Sequence, residues 1–199
     1  MEEKTDINTL WYRQGMSPQA FEVARGLYII PRTGWVRRMV TNPETVGEHT
    51  AAMVVLGKEI ASRVSGLNEE KLLRMLEVHD WPELIEGDVV TATLAPGERE
   101  KAEAKKYLAE RMAMERICSD LGEEGQAYLS LWLEFEEGVT LEASIAKQID
   151  RLQAMLKAYE YEQAGQKAIV AQRFIDGGRD KIVHPVLLEM LAKIDERKL

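Results

Sequence analysis

The run Leu73-Arg74-Met75-Leu76-Glu77-Val78-His79-Asp80-Trp81-Pro82-Glu83-Leu84-Ile85-Glu86-Gly87-Asp88 closes an apolar helix with a His-Asp pair and sets two more carboxylates, Glu83 and Asp88, just beyond it. A histidine and an aspartate adjacent in sequence reach one cation when the backbone lies close to it. The run therefore reads as half of a metal site, with Glu83 and Asp88 near enough to handle protons. Composition alone yields such a neighbour pair in roughly one chain in eight, so the flanking sequence has to carry the assignment.

Immediately upstream, Asn68 caps the helix and Glu69 and Glu70 occupy its first turn. Leu72, Leu73, Leu76, His79 and Asp80 then share one side until Pro82 interrupts the pattern. Further back, Asn42-Pro43-Glu44 predicts a helix start, with Asn42 as the cap and Pro43 at the first helical position. Val46, His49, Met53, Leu56, Ile60 and Val64 follow as one inward stripe. His49 thus faces the core, either as a packed histidine with a single hydrogen bond or as a ligand. Two inward histidines, one joined to an aspartate, are harder to explain by packing than one alone.

Residues 18–27 carry Phe21, Ala24 and Leu27 at helical spacing before Pro31 ends the helix. Residues 32–41 read as a loop in which Arg32, Trp35, Arg37 and Arg38 concentrate cations and an aromatic in an acidic protein. Residues 1–17 are mixed and polar, although Leu10, Trp11 and Tyr12 fit a short helix or an arm on a partner subunit.

Downstream of Asp88, residues 87–97 read as a loop bordering whatever His79 and Asp80 bind. A charged helix over 98–120 has Tyr107, Leu108, Met112 and Ile117 as its expected inner side, and the next helix lines up Tyr128, Leu131, Trp132 and Phe135. Thr140 caps a long helix whose main stripe is Ile145, Ile149, Leu152, Leu156 and Tyr159. Asp150 lies on the adjacent row with Ala143, Ala146 and Ala154. Side chains that small let another helix or a ligand approach the backbone closely. A salt bridge from Asp150 to Lys147 or Arg151 is the alternative. A helix near 166–175, a loop at 176–178 and a last helix from Pro185 complete the chain, with His184 as a helix-entry residue.

No repeat or linker divides the sequence, so the expectation is one all-α domain over residues 1–199, built of seven or eight helices. With 45 % apolar residues the chain is long enough to bury a substantial core. Its 34 acidic and 26 basic residues leave a formal charge of −8 with no basic block, which excludes a nucleic-acid duplex or an anionic membrane as an electrostatic partner. The single Cys118 excludes an internal disulfide and suits a reducing compartment, where it fills core. An acidic N-terminus and apolar runs far too short for a membrane span make the expected location cytoplasmic.

His49, His79, Asp80 and Asp150 lie on three helices, and one divalent cation gathered among them explains all four. Mixed imidazole and carboxylate ligation suits a first-row transition ion, Co, Mn or another, better than calcium. Glu83 and Asp88 are then the groups placed to take a proton from water or give one to a leaving alkoxide.

Glu48-His49, His79-Asp80 and Asp150 resemble the H…HD…D signature of HD-domain metal-dependent phosphohydrolases. The resemblance extends to Pro31-Arg32-Thr33-Gly34-Trp35-Val36, to Asn42-Pro43-Glu44-Thr45-Val46-Gly47-Glu48-His49, to the HDxxE…GD run ending at Asp88, to Gln148-Ile149-Asp150-Arg151-Leu152 and to Tyr159-Glu160-Tyr161-Glu162. Together these are similar to the 5′-deoxynucleotidase branch. The resemblance implies a helical HD domain that hydrolyses deoxynucleoside 5′-monophosphates, small-molecule nucleotides, to deoxynucleoside and phosphate, and it suggests a homodimer. It also implies His49, His79, Asp80 and Asp150 as metal ligands, Glu83 and Asp88 as acid and base, Trp35 as a residue orienting the phosphate, and Asp88 to Thr91 as the border of the sugar. Gly34 stands where some members have an arginine, so the cation for the phosphate comes from Arg32, Arg37 or Arg38, or is absent. Another phosphoester substrate, or a binding module without catalysis, are the alternatives.

Overall fold

Local capping chemistry sets where the helices begin. The structure, a computed structural model, describes residues 15–91, 94–166 and 178–196. Helix α1 (Pro18–Gly26) starts where the Ser17 hydroxyl accepts from the Ala20 amide, with a proline in its first turn. A 3-10 turn at Leu27–Ile29 ends it. The stretch expected to be all loop contains a single helical turn, α2 (Thr33–Val36).

Helix α3 spans Val46–Ala61, three residues later than Asn42-Pro43 predicts. Thr45 and Glu48 form a capping box, each side chain taking the other's backbone amide. The delay has a cause in the preceding backbone. Pro31 and Thr45 pair in an isolated antiparallel bridge, with the Arg32 amide donating to the Glu44 carbonyl at 3.0 Å and the Val46 amide donating to the Ile30 carbonyl at 2.8 Å. A helix begun at Pro43 would turn those groups inward, and Asn42, at φ 54°, instead takes the left-handed conformation its short polar side chain tolerates. The bridge holds the Arg32 turn against the start of α3.

Helix α4 (Glu69–Val78), capped by Asn68, runs through the middle and packs on α3, on α7 (Glu123–Glu137) and on α8 (Leu141–Gln163). Between α4 and α7 come the one-turn α5 (Glu83–Glu86) and the long α6 (Pro96–Asp120). Helix α9 (Pro185–Glu196) closes the end of α8. One core joins Met53, Ile60, Leu72, Leu76, Ile145, Ile149 and Leu152; a second joins Val78, Trp81, Met114, Cys118, Tyr128 and Trp132. Each such aliphatic side chain withdrawn from water contributes about 1.5–3 kcal/mol. Among the described residues the architecture is all-α, with seven helices of nine residues or more.

On α6 the expected inner residues Tyr107 and Ile117 do pack in the second core, Tyr107 stacked on Trp132, but Leu108 and Met112 do not. Leu108 and Met112 are 61 % and 71 % exposed, whereas Ala113, Met114, Ile117 and Cys118 are buried. Met114, Ile117 and Cys118 join Tyr128 and Trp132 of α7 in that core. Gly125 permits that approach, because a Cβ there would lie 1.9 Å from the Cys118 carbonyl oxygen. His184 enters α9 as expected, its Nδ1 accepting from the Val186 amide. The expected helix near 166–175 falls, from residue 167 on, outside the described residues, as do residues 1–14 of the expected arm. No helix among the described residues is long and apolar enough to cross a membrane.

Candidate metal centre

His79 stands at the C-cap of α4, where the last turn leaves carbonyls free. Its Nδ1 lies 2.7 Å from the Leu76 carbonyl oxygen. A carbonyl only accepts, so Nδ1 carries the proton and Nε2 keeps its lone pair. His49, one turn into α3, has its Nδ1 2.5 Å from Gln153 Oε1 on α8. Its Nε2 is likewise turned inward, 3.1 Å from Asp150 Oδ1. His79 Nε2 lies 3.0 Å from Asp80 Oδ2.

These nitrogen–oxygen approaches are within ion-pair range yet lack hydrogen-bond geometry. His49 Nε2, His79 Nε2 and Asp80 Oδ2 are buried without a hydrogen-bond partner. Lone pairs held about 3 Å from carboxylate oxygens repel unless positive charge lies among them, and buried polar atoms left unpaired are costly. One atom each from His49, His79 and Asp150 lies within 4.8 Å of the others. This donor set, two imidazoles oriented by their other nitrogens and a carboxylate, fits a divalent transition ion. Asp80 stands beside the trio, its Oδ2 shared between His79 and Arg32 Nη1 at 3.5 Å. The Asp150 side chain stays 36 % exposed, which leaves the cluster open to a ligand from solution.

The protonation balance shows the same appetite for positive charge. Burial opposes a charge on His79, but Asp80 and then Asp150 outweigh it and raise the imidazole above its ordinary value. Burial also opposes ionisation of Asp80 and Asp150; contact with His79 for the first and His49 for the second, aided by Arg32, holds both well below the usual carboxylate range. Arg32 is raised in turn: burial works against its charge and is overcome by Asp80, Asp150, Asp88 and Glu83.

The residues expected around this cluster fall into separate places. Glu83 opens α5, is buried, and has an oxygen without a hydrogen-bond partner. Burial, followed by the charges of Asp80 and Asp88, pushes its carboxyl well above the usual range. Asp88 accepts from the Thr33 amide at 2.6 Å and so ties its loop to the Arg32 turn. Arg37 reaches the Val90 carbonyl, Arg38 donates to the Gly34 carbonyl at 2.8 Å, and Thr91 lies near Glu103. Among the described residues, Arg32 is the guanidinium that reaches the cluster. Trp35 is 1 % exposed, with its indole N–H donating to Glu44 at 3.0 Å and its ring edge-on to Tyr161. That placement packs the ring in the core, beside Glu44 and Tyr161.

Sequence reasoning passes over Gln153, Glu44 and Lys106. Gln153 follows Asp150 by three positions on α8, so a polar residue on the row beside a ligand was the available signal. Glu44 gave none while it was read as the first turn of a helix. Lys106 on α6 pairs with Glu110 at 3.1 Å and feels the charges of Glu83 and Asp80.

Residues 25–188 match the HD domain family. The 5′-deoxynucleotidase HDDC2 of Mus musculus is 34 % identical over 170 residues, covering 85 % of this chain and 81 % of that protein. The 5′-deoxynucleotidase HDDC2 of Dictyostelium discoideum is 32 % identical over 185 residues, covering 88 % and 94 %. Among solved structures, a conserved hypothetical protein from Pyrococcus furiosus superposes with a TM-score of 0.67 at 28 % identity, covering 92 % of this chain and 100 % of that one. A predicted metal-dependent phosphohydrolase from Magnetospirillum magnetotacticum MS-1 shares the fold, with a TM-score of 0.65 at 23 % identity over 89 % and 88 %.

Proposed function

This chain belongs to the HD domain family, and we propose on that basis that it is a metal-dependent 5′-deoxynucleotidase, releasing phosphate from deoxynucleoside 5′-monophosphates at the His49–His79–Asp150 cluster. The observation that carries the reading is the convergence of three ligand atoms within 4.8 Å, with both imidazoles held by their Nδ1 atoms. The names of the relatives supply the substrate class.

In this reading His49, His79, Asp80 and Asp150 hold one divalent cation of the Mn or Co type. When bound, the cation supplies positive charge to a phosphoryl oxygen and acidifies water beside it. Arg32, raised and surrounded by carboxylates, binds the phosphate as that charge develops. One guanidinium at the cluster, with Arg37 and Arg38 engaged by backbone carbonyls, suits one phosphate rather than three. Glu83, kept protonated by burial and by its acidic neighbours, gives its proton to the leaving 5′-oxygen. Asp88 takes the proton from the attacking water, and together with Thr91 it borders the sugar, where close packing reads the missing 2′-hydroxyl. Trp35 works from inside the core by fixing Glu44, and Arg37 steadies the Val90 loop beside the substrate. The chain acts as one domain, and as a homodimer in the cytoplasm.

Protein dialysed against a chelator, then given dAMP, dCMP, dGMP or dTMP with Mn²⁺, Co²⁺, Mg²⁺ or Zn²⁺ in turn, tests this directly. Phosphate is expected only after a transition ion is restored, and faster from deoxy- than from ribonucleotides. Metal-replete protein inert toward every monophosphate would return the reading to another phosphoester or to a binding module.

A further inference from the structure

The two histidines of the cluster are oriented by different means. His79 uses the Leu76 carbonyl, a backbone acceptor that cannot exchange roles. His49 has no such carbonyl, and its Nδ1 meets the side-chain amide of Gln153 instead. An amide presents an acceptor at one end and a donor at the other, and a half-turn about its last bond exchanges them at little steric cost. If the NH₂ end faced Nδ1, the imidazole proton would move to Nε2 and close the position that faces Asp150. Something must hold the amide the right way round.

The adjoining groups supply it. Trp35 Nε1–H donates to Glu44 Oε1 at 3.0 Å, and Gln153 Nε2 donates to the other oxygen, Oε2, at 3.1 Å. A carboxylate accepts only, so it draws the NH₂ end of Gln153 to itself and leaves the carbonyl end for His49. The Glu44 backbone is in turn pinned by its amide donating to the Tyr161 hydroxyl at 2.6 Å. Trp35, Glu44, Gln153 and His49 are all buried, which keeps water from substituting for any member.

We propose that Glu44 and Gln153 are a pair of positioning residues that set the tautomer of His49, protonated on Nδ1 with the lone pair on Nε2, and so make it a metal ligand. This deepens the function proposed above and rests on His49 as a ligand. It assigns the buried tryptophan a part as well: a donor-only indole, two side chains away, fixes which end of the imidazole is free.

The test is a charge-conserving exchange on the full chain. Glu44→Gln alone places amide against amide. Its oxygen stays with Trp35 and its NH₂ faces Gln153, which must turn and donate to Nδ1. Gln153→Glu alone sets carboxylate against carboxylate. Both variants are expected to bind Co²⁺ at least roughly tenfold more weakly by titration calorimetry, the loss typical of groups that orient a ligand. The double variant Glu44→Gln/Gln153→Glu restores a donor or acceptor at every contact and should return the affinity to within about threefold of wild type, a rescue that lost packing does not give. In metal-free protein, ¹⁵N imidazole shifts assigned against His49→Ala should show the proton on Nδ1 in the wild type and on Nε2 in Glu44→Gln. Wild-type Co²⁺ affinity in Glu44→Gln, or a double variant no better than the weaker single, overturns the pairing. If a single variant does not fold, the wild-type spectrum decides, and a proton on Nε2 overturns it. Undiminished Co²⁺ binding in His49→Ala would refute the ligand reading itself, separately from the tautomer.

Discussion

Arg32 Nη1 lies 3.5 Å from Asp80 Oδ2, the oxygen that also faces His79 Nε2 at 3.0 Å. The guanidinium and the candidate metal ligand thus meet on one atom. Replacing Arg32 by Met keeps the aliphatic stem and frees Asp80 for the cation. Arg32→Met should bind Co²⁺ at least as tightly as wild type by calorimetry, yet lose roughly 10²-fold in kcat/KM for a deoxynucleoside monophosphate, about 2.7 kcal/mol of transition-state binding. Weaker metal binding together with unchanged kcat/KM would place Arg32 in the metal site instead of on the phosphate.

Glu83→Gln removes a proton donor without touching the ligand trio. Metal affinity should stay near wild type while kcat falls by roughly 10²–10⁴. The sign of the pH effect follows from the shift. An acid raised well above the carboxylate range is active when protonated, so wild-type kcat declines as pH rises through that elevated value, and Glu83→Gln loses this alkaline limb. A pH–rate profile of both proteins checks it; an unchanged limb in the variant assigns the titration elsewhere.

Gly125 is fixed by contact alone, since a Cβ there would strike the Cys118 carbonyl at 1.9 Å and the backbone cannot yield without parting α6 from α7. Gly125→Ala should cost about 1–3 kcal/mol, read as a Tm lower by about 2–4 °C for each kcal/mol. Because the clash lies in the second core, the Co²⁺ affinity of the folded protein should not change.

Cys118 is a packed thiol whose value burial pushes up to about 11. At pH 8 a water-soluble disulfide reagent should leave the native protein unmodified and label one thiol per chain once denaturant is added. Labelling in native buffer would show that α6 and α7 part more readily than their packing implies.

Much of the arrangement can be read from periodicity. His49 falls on the stripe with Val46, Met53 and Ile60, Asp150 on the alanine row of a helix that Thr140 starts, and His79 at the end of a leucine row, so each helix aims its residue inward before any contact is known. What periodicity misses lies off the helices or between them. Glu44 immediately precedes the bridge residue Thr45, its carbonyl held by the Arg32 amide across a turn, and only the Thr45-Val46-Gly47-Glu48 box hints that the helix starts after it. On α6, Tyr107 and Ile117 were legible as inner residues, whereas Met114 and Cys118 replace Leu108 and Met112 because Tyr128 and Trp132 of α7 lie on that side, which the helix alone cannot record. Gln153 meets His49 only because α3 and α8 cross at that height, and no single helix records that.

The bridge between Pro31 and Thr45 also makes the intervening chain usable as a handle. Its two ends are clamped together, so the outer bend, where Met39 is 85 % exposed at φ 56°, tolerates cargo without disturbing what lies behind the clamp. With Cys118 sealed in the core, Met39→Cys would present a single reactive thiol four residues after Trp35. A dye or a surface linker placed there would be carried on that exposed bend, away from the buried Trp35.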